Sequence, residues 1–303
     1  MSESVPLVSA VICTHNREAY LDACIRSALE QTLSADRYEL IVVNNASTDG
    51  TPAICERYTD VPNFRYVYEA EPGLSHARNR GMQEARGKYV GYLDDDAVAL
   101  PSWLSGVVNA FRDPKPAPVW VGGPIELQWH APAPDWVDAE LRVALGEVAL
   151  GDHPRFLNPS ERLGGGNSFF NRKILEKAGG FDTRLGRKKN VLLSGEETAL
   201  QHVLQSQGGK LFYHPDIHIL HDAHPDRIHP IWFYKRYYWG GKSDKVMAKA
   251  LQGLEHPDLV LEKAEGHPLF RLLSHFFCAG FHLNKAKRIR SRVYLSYVAG
   301  RLL

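Results

Sequence analysis

Within the first hundred residues, short apolar runs alternate with helix-patterned segments, and nearly every run stops at a polar turn. Val8–Cys13 (VSAVIC), Glu39–Asn44 (ELIVVN), Phe64–Tyr68 (FRYVY) and Lys88–Leu93 (KYVGYL) have the β-branched and aromatic composition of strands. Between them lie residues 17–32, with Leu21, Cys24, Ile25, Ala28 and Leu29 at helical spacing, then Thr51–Tyr58 and Ser75–Ala85. Strands separated by helices of this length predict right-handed crossovers, hence a Rossmann-like α/β fold with a mostly parallel central sheet. Ligands of such sheets sit beyond the carboxyl ends of the strands. THNRE, NNASTDG and DDD all follow strands, so the polar chemistry is expected there.

The last of these motifs is the most demanding. Asp94, Asp95 and Asp96 end an apolar run, and the chain turns apolar again directly after them. Three adjacent carboxylates repel one another, and burying them costs several kcal/mol or shifts their protonation unless a cation is present. Hard carboxylate oxygens suit Mg²⁺ or Mn²⁺, which bind through one or two carboxylates together with substrate phosphates. The plain alternative is a solvated acidic turn ahead of a helix opened by Pro101.

Composition excludes some classes. The 303 residues carry a formal net charge of +1, so no global field favours nucleic acid. That length predicts one large domain, or one with a substantial appendage. Cys13, Cys24, Cys55 and Cys278 are widely spaced and read as reduced core residues. MSESVPLVSAVIC lacks a basic leader, and no stretch reaches the roughly 18 uninterrupted apolar residues of a spanning helix. The expectation is a cytoplasmic protein, free or peripheral on the inner face of the membrane.

The middle of the chain is irregular. Residues 113–136 are proline-rich and hold Trp120, Trp129 and Trp136, a poor prospect for helix or regular strand. GGGNSFFNRKILEKAGGF predicts a glycine turn, a short strand and a helix; TRLGRKKNVLLSGEE predicts a basic loop leading into the helix EETALQHVLQSQ. KLFY and IHIL read as short strands, the second closed by His221. In the tail, Leu269, Leu272, Leu273, Phe276, Phe277 and Phe281 form one helical stripe ahead of the basic run NKAKRIRSR. That pattern fits peripheral membrane contact on an anionic surface, a helix capping the main domain, or a homodimer face.

VSAVICTHNRE, ELIVVNNASTDGT, GLSHARNRGMQEARGKYVGYLDDD, GGGNSFFNRK and LLSGEETAL, in this order, resemble the inverting GT-A glycosyltransferases of family 2 over roughly residues 6 to 221. The resemblance implies a GT-A fold with a catalytic domain over 1–225, divided into a nucleotide-sugar half (1–112) and an acceptor half (113–225), and a helical C-terminal extension (226–303). It implies transfer of a sugar from a nucleotide diphosphate donor, expected to be UDP-linked, to a hydroxyl of a saccharide, lipid-linked or small-molecule acceptor. Asp96 then matches the family's aspartate for Mn²⁺ or Mg²⁺, and His221 stands where many relatives carry a third metal ligand. Asp94 and Asp95 would hydrogen-bond the ribose or steady the metal shell.

Thr14, His15, Asn16 and Glu18 resemble the base-binding loop, with His15 replacing the usual aromatic. Asn45 stands where the family often has an aspartate that pairs with uracil. Arg78 resembles the donor-contacting arginine. Glu197 occupies the place of the general base, usually an aspartate, with Glu196 in reserve. Gly165, Gly166 and Asn167 are expected to line the acceptor site, and Trp129 to stack on a sugar ring unless it packs in the core. Arg227, Arg236 and Lys242 are available to phosphates of donor or acceptor. Two other readings stay open: a nucleotidyltransferase, although no glycine-rich basic loop follows Val8–Cys13, and a non-catalytic sugar-nucleotide or glycan binder, which the Asn45 and Glu197 departures allow.

Overall fold

The computed structural model describes residues 5–188, 191–252, 275, 279–280 and 284–303. The expected alternation holds through the first part of the chain. Strand β1 (Val8–Thr14) leads into helix α1 (Glu18–Leu29), β2 (Tyr38–Asn45) into α2 (Thr51–Glu56), and β3 (Phe64–Glu69) into α3 (Leu74–Glu84). Then come β4 (Tyr89–Asp94), β5 (Ala97–Ala99), α4 (Trp103–Arg112), β6 (Trp120–Gly122), β7 (Ile125–Gln128), α5 (Ala139–Ala144), β8 (Arg155–Phe156) and β9 (Asn167–Asn171). The chain closes with α6 (Arg172–Lys177), α7 (Glu196–Ser206), β10 (Leu211–Tyr213), β11 (Ile219–Asp222), α8 (Pro230–Ala250) and α9 (Lys285–Leu302).

Eight strands form the main sheet in the order β3-β2-β1-β4-β9-β6-β10-β8. The first four are parallel, and β9 runs antiparallel between β4 and β6. Both faces are covered, which is why the strands read as continuous apolar runs. Alternate residues divide the core: Ala10, Ile12, Leu40 and Val42 pack with α1 and α4, while Val11, Ile41 and Val43 pack with α3 and α7. Each fully buried Ile, Leu or Val contributes about 1.5–3 kcal/mol.

The proline-rich segment is more ordered than its composition predicts. Trp120–Gly122 pairs with β9 and β10, and Ile125–Gln128 joins β5 and β11 in a second, three-stranded sheet. Prolines 114, 116, 118 and 124 fall outside these strands, so no ladder hydrogen bond is lost. Helices α8 and α9 share a core with β7 and α5, since Phe233, Ile289 and Val293 pack with Leu127, Leu141 and Leu145. Leu269, Leu272, Leu273, Phe276, Phe277 and Phe281 of the apolar stripe, and Cys278, lie outside the described residues. Among the described residues, no helix is long and apolar enough to cross a membrane.

Candidate active site

The parallel register places Cys13 opposite Asp94, so β1 and β4 deliver THNRE and DDD to the same edge. Strand β11 runs antiparallel to β5 with His221 opposite Ala97, which brings the imidazole to the aspartates. Donor atoms of Asp94, Asp96 and His221 all lie within 4.8 Å of one another. Two hard carboxylates and one imidazole, leaving further positions to a ligand, are a donor set that suits Mn²⁺ or Mg²⁺. The residues present fit such an ion.

Asp96 is the hub of this group. Its side chain is 4% exposed, with Oδ1 3.1 Å from His221 Nε2. Oδ2 lies 2.7 Å from His224 Nε2, 3.1 Å from Arg227 and 3.7 Å from Arg17. Burial alone would raise its pKa, but the hydrogen bonds from His221 and His224 outweigh that and hold it well below the carboxylate range. His224 continues outward through Asp222 at 3.3 Å to His130, whose Nε2 is 2.6 Å from the same carboxylate. An alternating imidazole–carboxylate chain thus runs from the surface to Asp96.

The opposite wall comes from α7. Gly195 takes the left-handed φ of 94° that starts this helix, a conformation that favours glycine, and Glu196 and Glu197 form its first turn. Arg78 of α3, expected at most to touch the donor, is buried between the walls: 2.9 Å from Glu196, 3.7 Å from Glu197 and 3.9 Å from Asp94. Glu196 is enclosed, whereas Glu197 keeps a quarter of its side chain exposed and lines the cleft.

Several expected ligand contacts prove to be internal. The Asn45 amide donates to the Glu69 and Glu71 carbonyls, and its oxygen accepts from Gly73 N–H at 2.7 Å. An aspartate could not make the first two bonds, so asparagine here clamps the loop before α3, and its carbonyl is already engaged. Asn16 accepts from Thr48 N–H and Glu18 from Gly50 N–H, fastening THNRE to the NASTDG turn outside the cleft. Asn167 is wholly buried, bonded to Trp103, Pro124 and Ile217, which removes it from acceptor contact.

Trp129 packs half-buried in the C-terminal core with Arg142 over its ring. Gly165 and Gly166 serve the carboxylates first, because an added Cβ would fall 2.2 Å from Glu197 Oε1 and 2.1 Å from Asp94 Oδ2. Thr14, His15, Asn45, Arg78, Asp94, Asp95, Asp96 and His221 do line one cleft with Glu196 and Glu197, Asn45 with its side chain already bonded to the neighbouring loop. Sequence reasoning passed over Arg17, His224, Asp222 and Arg187. The spacing of His221 and His224 in HDAH was the available signal for two of these.

Burial pushes Asp95 up to about 7, with Asp96 adding to the rise and Arg17 and Thr14 opposing it. Burial and Glu197 push Glu196 to about 7 as well, against Arg78. A carboxyl whose folded pKa lies above the ordinary value of about 4 binds its proton more tightly in the folded state. Its contribution to stability is full below about pH 4 and falls as the pH rises to about 7. Asp96 has the opposite sign, and its contribution is lost only in stronger acid. The melting temperature of the metal-free protein should therefore fall from about pH 4 to about pH 7, with a shallower fall in Glu196→Gln. Equal slopes in the two proteins would contradict the assignment.

The profile of glycosyl transferase family 2 matches residues 9–177, more than half of the chain. The chain belongs to this family. A family 2 glycosyltransferase was the expectation, and the fold agrees with it. A glucosyl-dolichyl phosphate glucuronosyltransferase of Haloferax volcanii is 26% identical over 246 residues, covering 79% of this chain and 77% of that relative. Validoxylamine A glucosyltransferase of Streptomyces hygroscopicus subsp. limoneus is 34% identical over 120 residues, covering 39% of this chain and only 26% of that relative. Among solved structures, the mannosyltransferase PcManGT from Pyrobaculum calidifontis, in complex with GDP-Man and Mn²⁺, superposes with a TM-score of 0.67 at 22% identity, over 98% of this chain and 86% of that one. TarS 1–349 of S. aureus, in complex with UDP, gives 0.56 at 13% identity over 98% and 90%. At these identities the structural likeness shows the GT-A fold of the family 2 chain.

Proposed function

We propose that this family 2 glycosyltransferase moves a sugar from a nucleoside diphosphate donor to an acceptor hydroxyl, with inversion at the anomeric carbon. The observation that carries the reading is one cleft with two walls. Asp94, Asp96 and His221 stand on one side, Glu197 on the other, and Arg78 between them. Mn²⁺ or Mg²⁺ held by the first three would neutralise charge on the departing nucleoside diphosphate.

Glu197, placed at a helix N-terminus and open to the cleft, accepts the proton of the attacking hydroxyl. Arg78 fixes the position of the glutamate pair. UDP-sugars are the first donors to test, given His15 in the base loop and the UDP held by TarS; GDP-sugars are next, given the GDP-Man held by PcManGT. The name of the haloarchaeal relative supports a lipid-linked saccharide among the acceptor classes.

A thermal-shift panel tests the donor class. Metal-dependent stabilisation by UDP- or GDP-sugars is expected, and stabilisation by neither would refute it. Product configuration tests the mechanism, since a retained anomer is incompatible with single displacement by a Glu197-activated hydroxyl.

A further inference from the structure

Three guanidinium groups around the cleft already have carboxylate partners. Arg17 lies 3.7 Å from Asp96 and 3.8 Å from Asp95, Arg78 is 2.9 Å from Glu196, and Arg227 is 3.1 Å from Asp96. Two further arginines line the same cleft, Arg187 and Arg236, and among the described residues neither has a carboxylate within ion-pair distance. Arg236 projects from α8 with Nη1 3.0 Å from Ser194 Oγ. Its Nε is buried and has no partner among the described residues. Burial and the like charge of Arg187 both lower its pKa, whereas the charges of Glu197 and Glu196 oppose that fall. Two guanidinium groups that line one partly enclosed cleft repel, and desolvating an unpaired one is costly. A phosphate accepts from both at once and satisfies the free N–H, because guanidinium forks match its oxygens.

The location decides which ligand brings that phosphate. Ser194 precedes Glu197 by three residues, at the joint that starts α7. An anion held by Arg236 and Ser194 therefore sits beside the proposed base, where the attacking hydroxyl must also lie. The donor diphosphate belongs by contrast with Asp94, Asp96 and His221. We propose that Arg187, Arg236 and Ser194 form an anion subsite on the Glu197 side of the cleft, which takes a phosphate group carried by the acceptor. This rests on the reading of Glu197 as the base and of the aspartate wall as the donor site.

The test uses the full chain saturated with Mg²⁺ and UDP, or GDP if that nucleotide stabilises it better. Glucose 1-phosphate is the probe and glucose the neutral control. Glucose 1-phosphate should bind and raise the melting temperature of the nucleotide complex, while glucose should not. Arg236→Gln and the more exposed Arg187→Gln should each weaken glucose 1-phosphate at least tenfold, and Arg236→Lys less. Affinities for UDP and UMP should stay within twofold in all three.

A fall in UDP affinity with UMP unchanged would overturn the proposal, because the pair would then hold the donor's second phosphate. Equal binding of the sugar phosphate by wild type and both glutamine variants, or no binding by wild type, would overturn it too. If the wild type binds no nucleotide with metal, the donor reading fails first and takes this inference with it.

Discussion

Replacing Asp96 with alanine should lower kcat/KM at saturating Mn²⁺ by at least about a hundredfold, roughly 3 kcal/mol of transition-state stabilisation. The change removes one candidate metal ligand and also the shared anion of His221, His224 and Arg227. Leaving a buried guanidinium such as that of Arg227 without its partner costs about 3–5 kcal/mol in well-isolated cases, so the melting temperature of the metal-free variant should fall as well. Asp94 is 40% exposed, and its ion-pair contacts are 3.8 Å to His221 and 3.9 Å to Arg78. Its alanine variant should lose metal affinity with little change in melting temperature. Metal titrations of initial rate, paired with melting curves, separate the two effects. Equal losses in both quantities for Asp94→Ala and Asp96→Ala would show that Asp96 is not the hub.

Glu197→Gln should reduce turnover by about 10²–10⁴, the range that a positioned general base contributes. Glutamine keeps the shape that packs on Gly165, so nucleotide and metal affinities should be nearly unchanged and the loss should fall on kcat. Glu196→Gln should act differently. It removes the carboxylate 2.9 Å from Arg78, so its effects should appear in donor affinity and in the pH dependence of stability. If Glu196→Gln abolishes turnover while Glu197→Gln retains it, the two roles are exchanged.

The strand–helix rhythm was legible because local pattern and tertiary role agree there. A strand covered on both faces must be apolar throughout, and its last residue must meet the ligand edge, so VSAVIC and KYVGYL announced where THNRE and DDD would lie. The pairing of His221 with the aspartates was implied only by family resemblance, since it depends on an antiparallel register across more than a hundred residues.

Polar residues near the edge were harder. Asn16 and Glu18 share the motif of Thr14 and His15, and Asn45 ends the neighbouring strand, yet the side chains of all three satisfy backbone groups of neighbouring loops. Whether an amide faces a ligand or a carbonyl depends on loop geometry, which composition does not encode. Asn167 illustrates the point: a glycine turn precedes it, but its amide is spent on Trp103, Pro124 and Ile217 in the core.

Helices α8 and α9 meet where neither has a side chain. A Cβ on Gly241 would fall 2.2 Å from the Tyr297 carbonyl, and one on Gly300 only 1.8 Å from that of Tyr238. Backbones this close leave α8 no freedom to slide or roll along its partner. Arg236 sits just over one turn before Gly241, so its aim into the cleft is set partly by residues at the very end of the chain. Helix α9 thus acts as an alignment gauge for the cleft that Arg236 lines. A cut at residue 225 would take Arg236 away from the cleft it lines.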